Sequence, residues 1–174
     1  METLFQTRHE VNVINSYLLA RKALAMFSYL GFEEDGSRRF INPALIHFTY
    51  LRYLSVKELF IELDKLVRTS KNQKNTVEKL LQECVSVNVG QKETLLRDLH
   101  AKDELIERIK LVRDKYYAHS DPNAFEVPNF LPAEVSELIQ FVTNILYAVY
   151  GKEIIDVLIG QMLTSQLPYQ FLET

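Results

Sequence analysis

The sequence contains a single cysteine, Cys84, in 174 residues. One thiol cannot form an intrachain disulfide, and it cannot supply the cysteine pair of a common structural zinc site. Because disulfide-dependent proteins belong to oxidising compartments, this scarcity favours a reducing one. Cys84 follows the apolar Leu80 and Leu81, so we expect its thiol to be buried and unreactive. The sequence therefore predicts a cytoplasmic protein without a cysteine-based site.

Glycine and proline are also scarce, with five residues of each. So few interruptions permit long regular elements, and they leave no glycine-rich loop of the kind that cradles phosphates. His9, His47 and His100 lack the spacing of metal ligands, and neither an H-E-x-x-H nor a G-x-S-x-G motif occurs. We therefore expect no metal ion and no organic cofactor.

The chain lacks a long uninterrupted hydrophobic run. Its longest apolar region, from Leu138 to Tyr150, contains Gln140, Thr143 and Asn144, and it is shorter than the ~20 residues that a membrane-spanning helix needs. The N-terminus has no basic segment followed by an apolar one, so the pattern predicts no signal peptide. We expect no membrane partner.

Charge of one sign is not in large excess. The 20 basic and 23 acidic side chains leave a net charge of −3, which excludes a strongly basic field over the whole molecule. Binding to RNA would therefore depend on a local basic patch. The hydrophobic content of 47% and the length are those of one globular domain, residues 1–174.

Hydrophobic residues recur at helical spacing, whereas strand-like alternation is rare. This periodicity predicts an all-α fold, a single bundle of about five to seven helices. The predicted helices are His9–Leu30, Pro43–Leu66 with Asn42 as its cap, Thr76–Ser86, Gln91–His100, Asp103–His119 with Asp103 as its cap, Pro132–Val149 and Glu153–Leu163. We expect breaks at Val87–Gly90 and at Gly151, and Pro122 sets the end of the fifth helix.

The C-terminal end of the fifth predicted helix carries the best candidate site. The core-facing stripe of this helix comprises Leu105, Ile109, Val112 and Tyr116. On a helical wheel Arg113 lies on one border of the stripe, His119 lies near the other, and Asp114 falls on the far side. Arg113 and His119 therefore flank the core stripe, and we expect them to converge only around a cleft or if the last turn unwinds before Pro122.

An arginine and a histidine suit phosphodiester chemistry. The guanidinium matches phosphate oxygens with a planar fork, and imidazole exchanges a proton near neutral pH. Together they can cleave RNA without a metal, because a base that deprotonates the ribose 2′-hydroxyl lets it attack the phosphate while arginine stabilises the developing charge. Candidate RNA-binding residues nearby are Arg108, Lys110, Lys115 and Tyr117.

The run from Leu111 to Asp121, LVRDKYYAHSD, resembles the signature of the HEPN superfamily. That signature is an Arg, a polar residue directly after it, and a His four to six residues beyond the Arg. The run is most similar to the abortive-infection branch, whose R-D-K-x-x-A-H-x-D segment ends a helix. That branch also carries an earlier segment to which Leu63-Asp64-Lys65-Leu66 is similar.

The resemblance implies a HEPN-like helical bundle that forms a C2 homodimer, with the Arg and His of both subunits facing a shared cleft. It also implies a metal-independent endoribonuclease in phage defence or in a toxin–antitoxin pair, with RNA as substrate and an antitoxin as partner. Arg113 and His119 match the invariant pair and Asp114 the polar position, which makes these three the catalytic candidates. Asp121 stands where some toxin branches have a Tyr that the antitoxin modifies, so that regulation is not predicted.

Two other interpretations stay open. Asp114 departs from the Asn or His of many active members, and an acidic group beside a phosphate is unfavourable unless it pairs with Arg113 or orients His119. A catalytically inactive HEPN-like module that binds RNA, a nucleotide or a protein is therefore the alternative. The simplest interpretation is a structural helix end, where basic side chains complement the helix dipole.

Overall fold

Helices make up most of the chain that the structure describes. This computed structural model describes Phe5 and residues 7–29, 45–68, 75–114 and 132–165. The helices are α1 (Arg8–Tyr29), α2 (Leu45–Val67), α3 (Val77–Glu83), α4 (Val89–His100), α5 (Asp103–Val112), α6 (Pro132–Tyr150) and α7 (Lys152–Ser165). Within these ranges no residue belongs to a strand, which confirms the predicted all-α class. The seven described helices agree with the predicted number of about five to seven.

The long helix α1 begins at a capping box. The Thr7 amide donates to Glu10 Oε2 at 2.8 Å, and the Glu10 amide donates back to Thr7 Oγ1 at 3.2 Å. Each bond satisfies a backbone group that the first turn leaves without a helical partner. The 22 residues that follow contain no glycine or proline, so α1 runs uninterrupted.

Helices α1 and α2 form the main pair of the bundle, with the most extensive contact of any two described helices. They have 22 and 23 residues, which corresponds to roughly 33 Å each. The Arg52 guanidinium lies 4.5 Å from the centre of the Phe27 ring. The last turns of α1 therefore contact the first half of α2.

One buried hydrophobic cluster joins all seven helices. It includes Tyr17 from α1, Leu63 from α2, Leu99 from α4, Leu146 from α6 and Ile155 from α7, each with at most 1% of its surface exposed. Helices α3 and α5 contribute Leu81 and Ile109. None of the described helices is long and apolar enough to cross a membrane.

The connection between α3 and α4 corrects one sequence prediction. Val89 and Gly90 were expected to break the helix, but they form the first turn of α4. Asn88 is responsible, because its Oδ1 accepts from the Gln91 amide at 2.8 Å and caps that turn. Thr76 caps α3 in the same way, accepting from the Lys79 amide.

The start of α5 is a second correction. Asp103 is its first helical residue rather than its cap, and Lys102 stands at the cap position without a side-chain hydrogen bond. The Asp103 carboxylate still lies in the first turn, where it faces the positive end of the helix dipole. The predicted opening of α6 at Pro132 and the interruption at Gly151 are confirmed. Gly151 adopts φ +88°, a backbone conformation that favours glycine.

Helix α5 packs against α2. Arg68 directly follows the last residue of α2, and Arg113 directly follows the last residue of α5. Both side chains contact Asp64 of α2, which brings the two C-terminal ends together.

Candidate functional site

The predicted site residues divide between the described and the undescribed parts of the chain. Arg108, Lys110, Arg113 and Asp114 belong to the described ranges. His119, Lys115 and Tyr117 lie outside them. The structure therefore describes the part of the site that contains Arg113.

Helix α5 changes geometry where the site begins. The regular α-helix ends at Val112, and the backbone widens into a π-helical turn at Arg113 and Asp114. The Arg113 amide is shared between the Ile109 and Lys110 carbonyls. The sequence predicts an α-helix through to His119. The structure departs from this prediction at Arg113 and Asp114, and residues 115–119 lie outside the described ranges. Single π-helical turns are frequent at functional sites.

The centre of the site is Asp64, a carboxylate on α2 with only 4% of its surface exposed. Arg68 Nε donates to Asp64 Oδ1 at 3.0 Å. Arg113 Nη2 lies 3.2 Å from the other oxygen, Oδ2. Each oxygen of the buried carboxylate therefore faces one guanidinium, which meets the requirement that a buried charge be paired. Asp64 thereby ties the end of α5 to α2.

Asp114 lies against the same two arginines. Its Oδ1 is 3.0 Å from Arg113 Nη2 and 3.9 Å from Arg68 Nη2. The Asp114 side chain is 44% exposed, against 23% for Arg113 and 20% for Arg68. Its exposure agrees with the helical wheel, but the carboxylate reaches back to Arg113. Asp114 thus meets one of the two conditions under which an acidic residue is tolerated here.

Both guanidinium groups keep unused donors. Arg68 Nη2 and Arg113 Nε are buried and make no hydrogen bond within the described part of the chain. Arg68 Nη2 does lie 2.9 Å from Asp64 Oδ1, so this contact is an ion pair without hydrogen-bond geometry. Because a guanidinium presents five N–H donors, the arginines have capacity for a further acceptor.

The electrostatics of the cluster are dominated by burial. Burial raises the pKa of the Asp64 carboxyl above its ordinary value, and the neighbouring Asp114 charge raises it further. Arg68 and Lys110 act in the opposite direction and lower it. The direction is upward because the loss of hydration around Asp64 outweighs the effects of Arg68 and Lys110.

Two predicted RNA-binding residues have acidic partners. Arg108 Nη2 donates to Glu134 Oε1 at 2.7 Å, which joins α5 to α6 and raises the pKa of Arg108. Lys110 Nζ donates to Glu107 Oε2 at 2.9 Å within α5. Of the two, Lys110 is electrostatically coupled to the cluster, because its charge acts on Asp64.

On sequence grounds Asp64 is named only within the segment Leu63-Asp64-Lys65-Leu66, and Arg68 is not singled out. A signal for Asp64 was present. Asp64 follows Phe60 by four residues and precedes Val67 by three, so it shares a helix face with two buried hydrophobic residues. A carboxylate on such a face needs a cationic partner. That the partner comes from α5 follows only from the tertiary packing.

A second groove, of about 430 Å³, lies between the start of α1, the end of α3 and the end of α6. His9 Nδ1 is 3.3 Å from Glu83 Oε2 there, and the Tyr150 hydroxyl donates to Glu10 Oε1 at 3.2 Å. Cys84 is partly exposed in this groove, which corrects the prediction of a buried thiol. Among the described residues, no group of three or more His, Cys, Asp or Glu side chains is arranged to hold a metal ion.

Asp64, Arg68, Arg113 and Asp114, which we call the arginine cluster, thus include the two catalytic candidates that the structure describes, Arg113 and Asp114. Comparison of the chain with protein-family models, with curated proteins and with solved structures found no match.

Proposed function

We propose that the protein is a metal-independent endoribonuclease that cleaves RNA by attack of a ribose 2′-hydroxyl. The observation that carries the proposal is the placement of Arg113. A buried carboxylate holds this arginine at the junction of α2 and α5, and its side chain remains 23% exposed. A cation fixed in this way can meet a phosphate without first being ordered, which is what transition-state stabilisation requires.

In the proposed reaction, His119 acts as the base. It removes the proton of the 2′-hydroxyl, and the 2′-oxygen forms a bond to phosphorus while the bond to the 5′-oxygen breaks. The 5′-oxygen leaves with a proton from water. Arg113 stabilises the negative charge that grows on the phosphoryl oxygens. The products carry a 2′,3′-cyclic phosphate and a 5′-hydroxyl.

The resemblance of residues 111–121 to HEPN domains supports the same chemistry and extends it. We propose a HEPN-like homodimer whose two subunits share the cleft, acting in phage defence or as a toxin with an antitoxin partner. Asp114 directly follows Arg113, and His119 lies six residues beyond Arg113. This agrees with the signature, in which the His lies four to six residues beyond the Arg.

The test is cleavage of single-stranded RNA by purified protein in EDTA. We expect wild-type protein to yield 2′,3′-cyclic phosphate ends, and His119→Ala to lower the rate by about 100-fold or more, since positioned acid–base groups contribute at least that much. His100→Ala is the matched control, because His100 is a half-exposed histidine on α4. Cleavage unchanged by His119→Ala would contradict the proposal.

A second candidate is a catalytically inactive module that binds RNA. The observation that favours it is that Arg113 already faces two carboxylates, Asp64 and Asp114. The same experiment separates the two candidates. An inactive module would bind RNA equally well with His119→Ala, more weakly with Arg113→Ala, and would never release product.

A further inference from the structure

The arginine cluster is a charge-balanced group in which Asp114 is the most exposed member. Arg68 and Arg113 contribute two positive charges, and Asp64 and Asp114 contribute two negative ones. Asp64 is buried, whereas the Asp114 side chain is 44% exposed. Of the two carboxylates, Asp114 is therefore the one that can leave the arginines without exposing a buried charge.

Asp114 occupies a position that also suits a phosphate. Its Oδ1 lies between two guanidinium nitrogens, 3.0 Å from Arg113 Nη2 and 3.9 Å from Arg68 Nη2. Carboxylate and phosphate oxygens accept from arginine at the same distances, and arginine binds both through the same fork. An RNA phosphate and the Asp114 carboxylate would therefore compete for the same donors.

Arg68 is held by the same buried carboxylate as Arg113. Its Nε is hydrogen-bonded to Asp64 Oδ1 at 3.0 Å, and its Nη2 has no hydrogen bond within the described chain. The carboxylate that orients one guanidinium thus orients the other. Once Asp114 has moved away, both arginines would present donors to a single anionic group.

We propose that Arg68 and Arg113 form a two-arginine clamp for one RNA phosphate, and that Asp114 holds the place of this phosphate in the free protein. The inference rests on the proposed ribonuclease function of the same site and adds two elements to it. Arg68 becomes a substrate-binding residue, and Asp114 becomes an internal competitor rather than a catalytic group. Displacement of Asp114 leaves a net positive charge facing the phosphate.

Binding is measured with a labelled single-stranded 2′-O-methyl RNA, which cannot be cleaved because its 2′-oxygen is blocked. We expect Asp114→Asn to tighten binding by about fivefold at low salt, since the loss of one exposed ion pair is worth about that factor. Asp98→Asn is the matched control. Asp98 also follows an arginine, Arg97, and lies 3.5 Å from it, but both are well exposed on α4.

The role of Arg68 is tested with the same RNA over a series of salt concentrations. We expect Arg68→Ala to weaken binding and to reduce the slope of log Kd against log salt by about 0.7, the value for one phosphate contact with a single strand. Arg97→Ala should leave the slope unchanged. Arg68→Lys keeps the charge and should restore the slope, and circular dichroism checks that each variant keeps its helical content.

The outcomes separate this inference from the proposed function. Equal affinity of Asp114→Asn and wild-type protein, or an unchanged slope in Arg68→Ala, would overturn the clamp while cleavage by wild-type protein still supports a ribonuclease. Slower cleavage by Asp114→Asn would make Asp114 a catalytic group and would also overturn it. Binding by Asp114→Asn where wild-type protein binds too weakly to measure would support it. If neither wild-type protein nor Asp114→Asn binds RNA, the clamp is overturned. If wild-type protein does not cleave RNA, the proposed ribonuclease function is overturned.

Discussion

Asp64 is the residue on which the geometry of the arginine cluster depends. It is buried on α2, it accepts a hydrogen bond from Arg68, and it lies 3.2 Å from Arg113. Replacing a buried carboxylate leaves its cationic partners without compensation, which is costly inside a protein. In the proposed clamp Asp64 would have a positioning role, because it would act on a phosphate only through the two arginines.

The burial of Asp64 also makes the stability of the protein depend on pH. Burial raises its pKa in the folded protein above the ordinary value of 3.8. Between pH 3.8 and the raised pKa of the folded state, the folded protein binds more protons at Asp64 than the unfolded protein does. The free energy of unfolding therefore falls as pH rises through this window. Asp64→Asn removes the titrating group. We therefore expect the stability of this variant, relative to wild-type protein, to increase with pH in that window, as measured by urea denaturation.

Asp156 on α7 has a pKa shifted in the opposite direction from that of Asp64. The hydrogen bond from Lys152 lowers the pKa of Asp156, and one from Tyr147 acts in the same direction. The unfolded state then binds more protons in a window below pH 3.8, and the stability due to Asp156 is lost as pH falls through it. Asp156→Asn should lose stability relative to wild-type protein as pH rises there. The same sign for both variants would contradict the assignment of Asp64.

At the scale of the element, Asn88 decides where α4 begins. It accepts from the Gln91 amide at 2.8 Å, and loss of such a cap costs about 1 kcal/mol. We expect Asn88→Ala to lower the free energy of unfolding by this amount in chemical denaturation. Asn144→Ala is the control, since Asn144 is exposed in the middle of α6 and alanine is the better helix former there. Equal effects of the two substitutions would show that the cap contributes nothing.

The helices were predictable because their cause is local. Apolar spacing predicted α1, α6 and α7 to within a few residues of their observed ends. The start of α4 was not predicted, because Gly90 was interpreted as a break when the stronger signal was Asn88, three residues before Gln91. A polar N-cap next to a glycine can start a helix as well as separate two helices.

The candidate site was predictable only in part. Arg113 and Asp114 stood out through their spacing to His119, which is a property of the sequence. Asp64 lies 49 positions before Arg113, and their ion pair exists because α5 packs against α2. Helical periodicity identifies the face of each helix that is buried, but it does not identify which two helices meet.

At the scale of the whole molecule, the proposed dimer has a direct test. If two chains share the cleft, sedimentation should give twice the 20.3 kDa of one chain at concentrations where the protein cleaves RNA. Dilution should lower the specific cleavage rate, because dissociation separates the two halves of the site. A monomer whose specific rate is independent of concentration would contradict a shared cleft.

The charge balance of the arginine cluster has a kinetic consequence. Each of the two arginines lies within about 4 Å of each of the two carboxylates, so their charges cancel at distances beyond the Debye length, about 8 Å at physiological salt. In a chain of net charge −3, the arginine cluster itself then exerts no long-range pull on a polyanion. Encounter would proceed without electrostatic steering, at the slower rates of neutral partners. Selectivity would arise after contact, when a phosphate close enough to replace Asp114 is retained and other anions diffuse away.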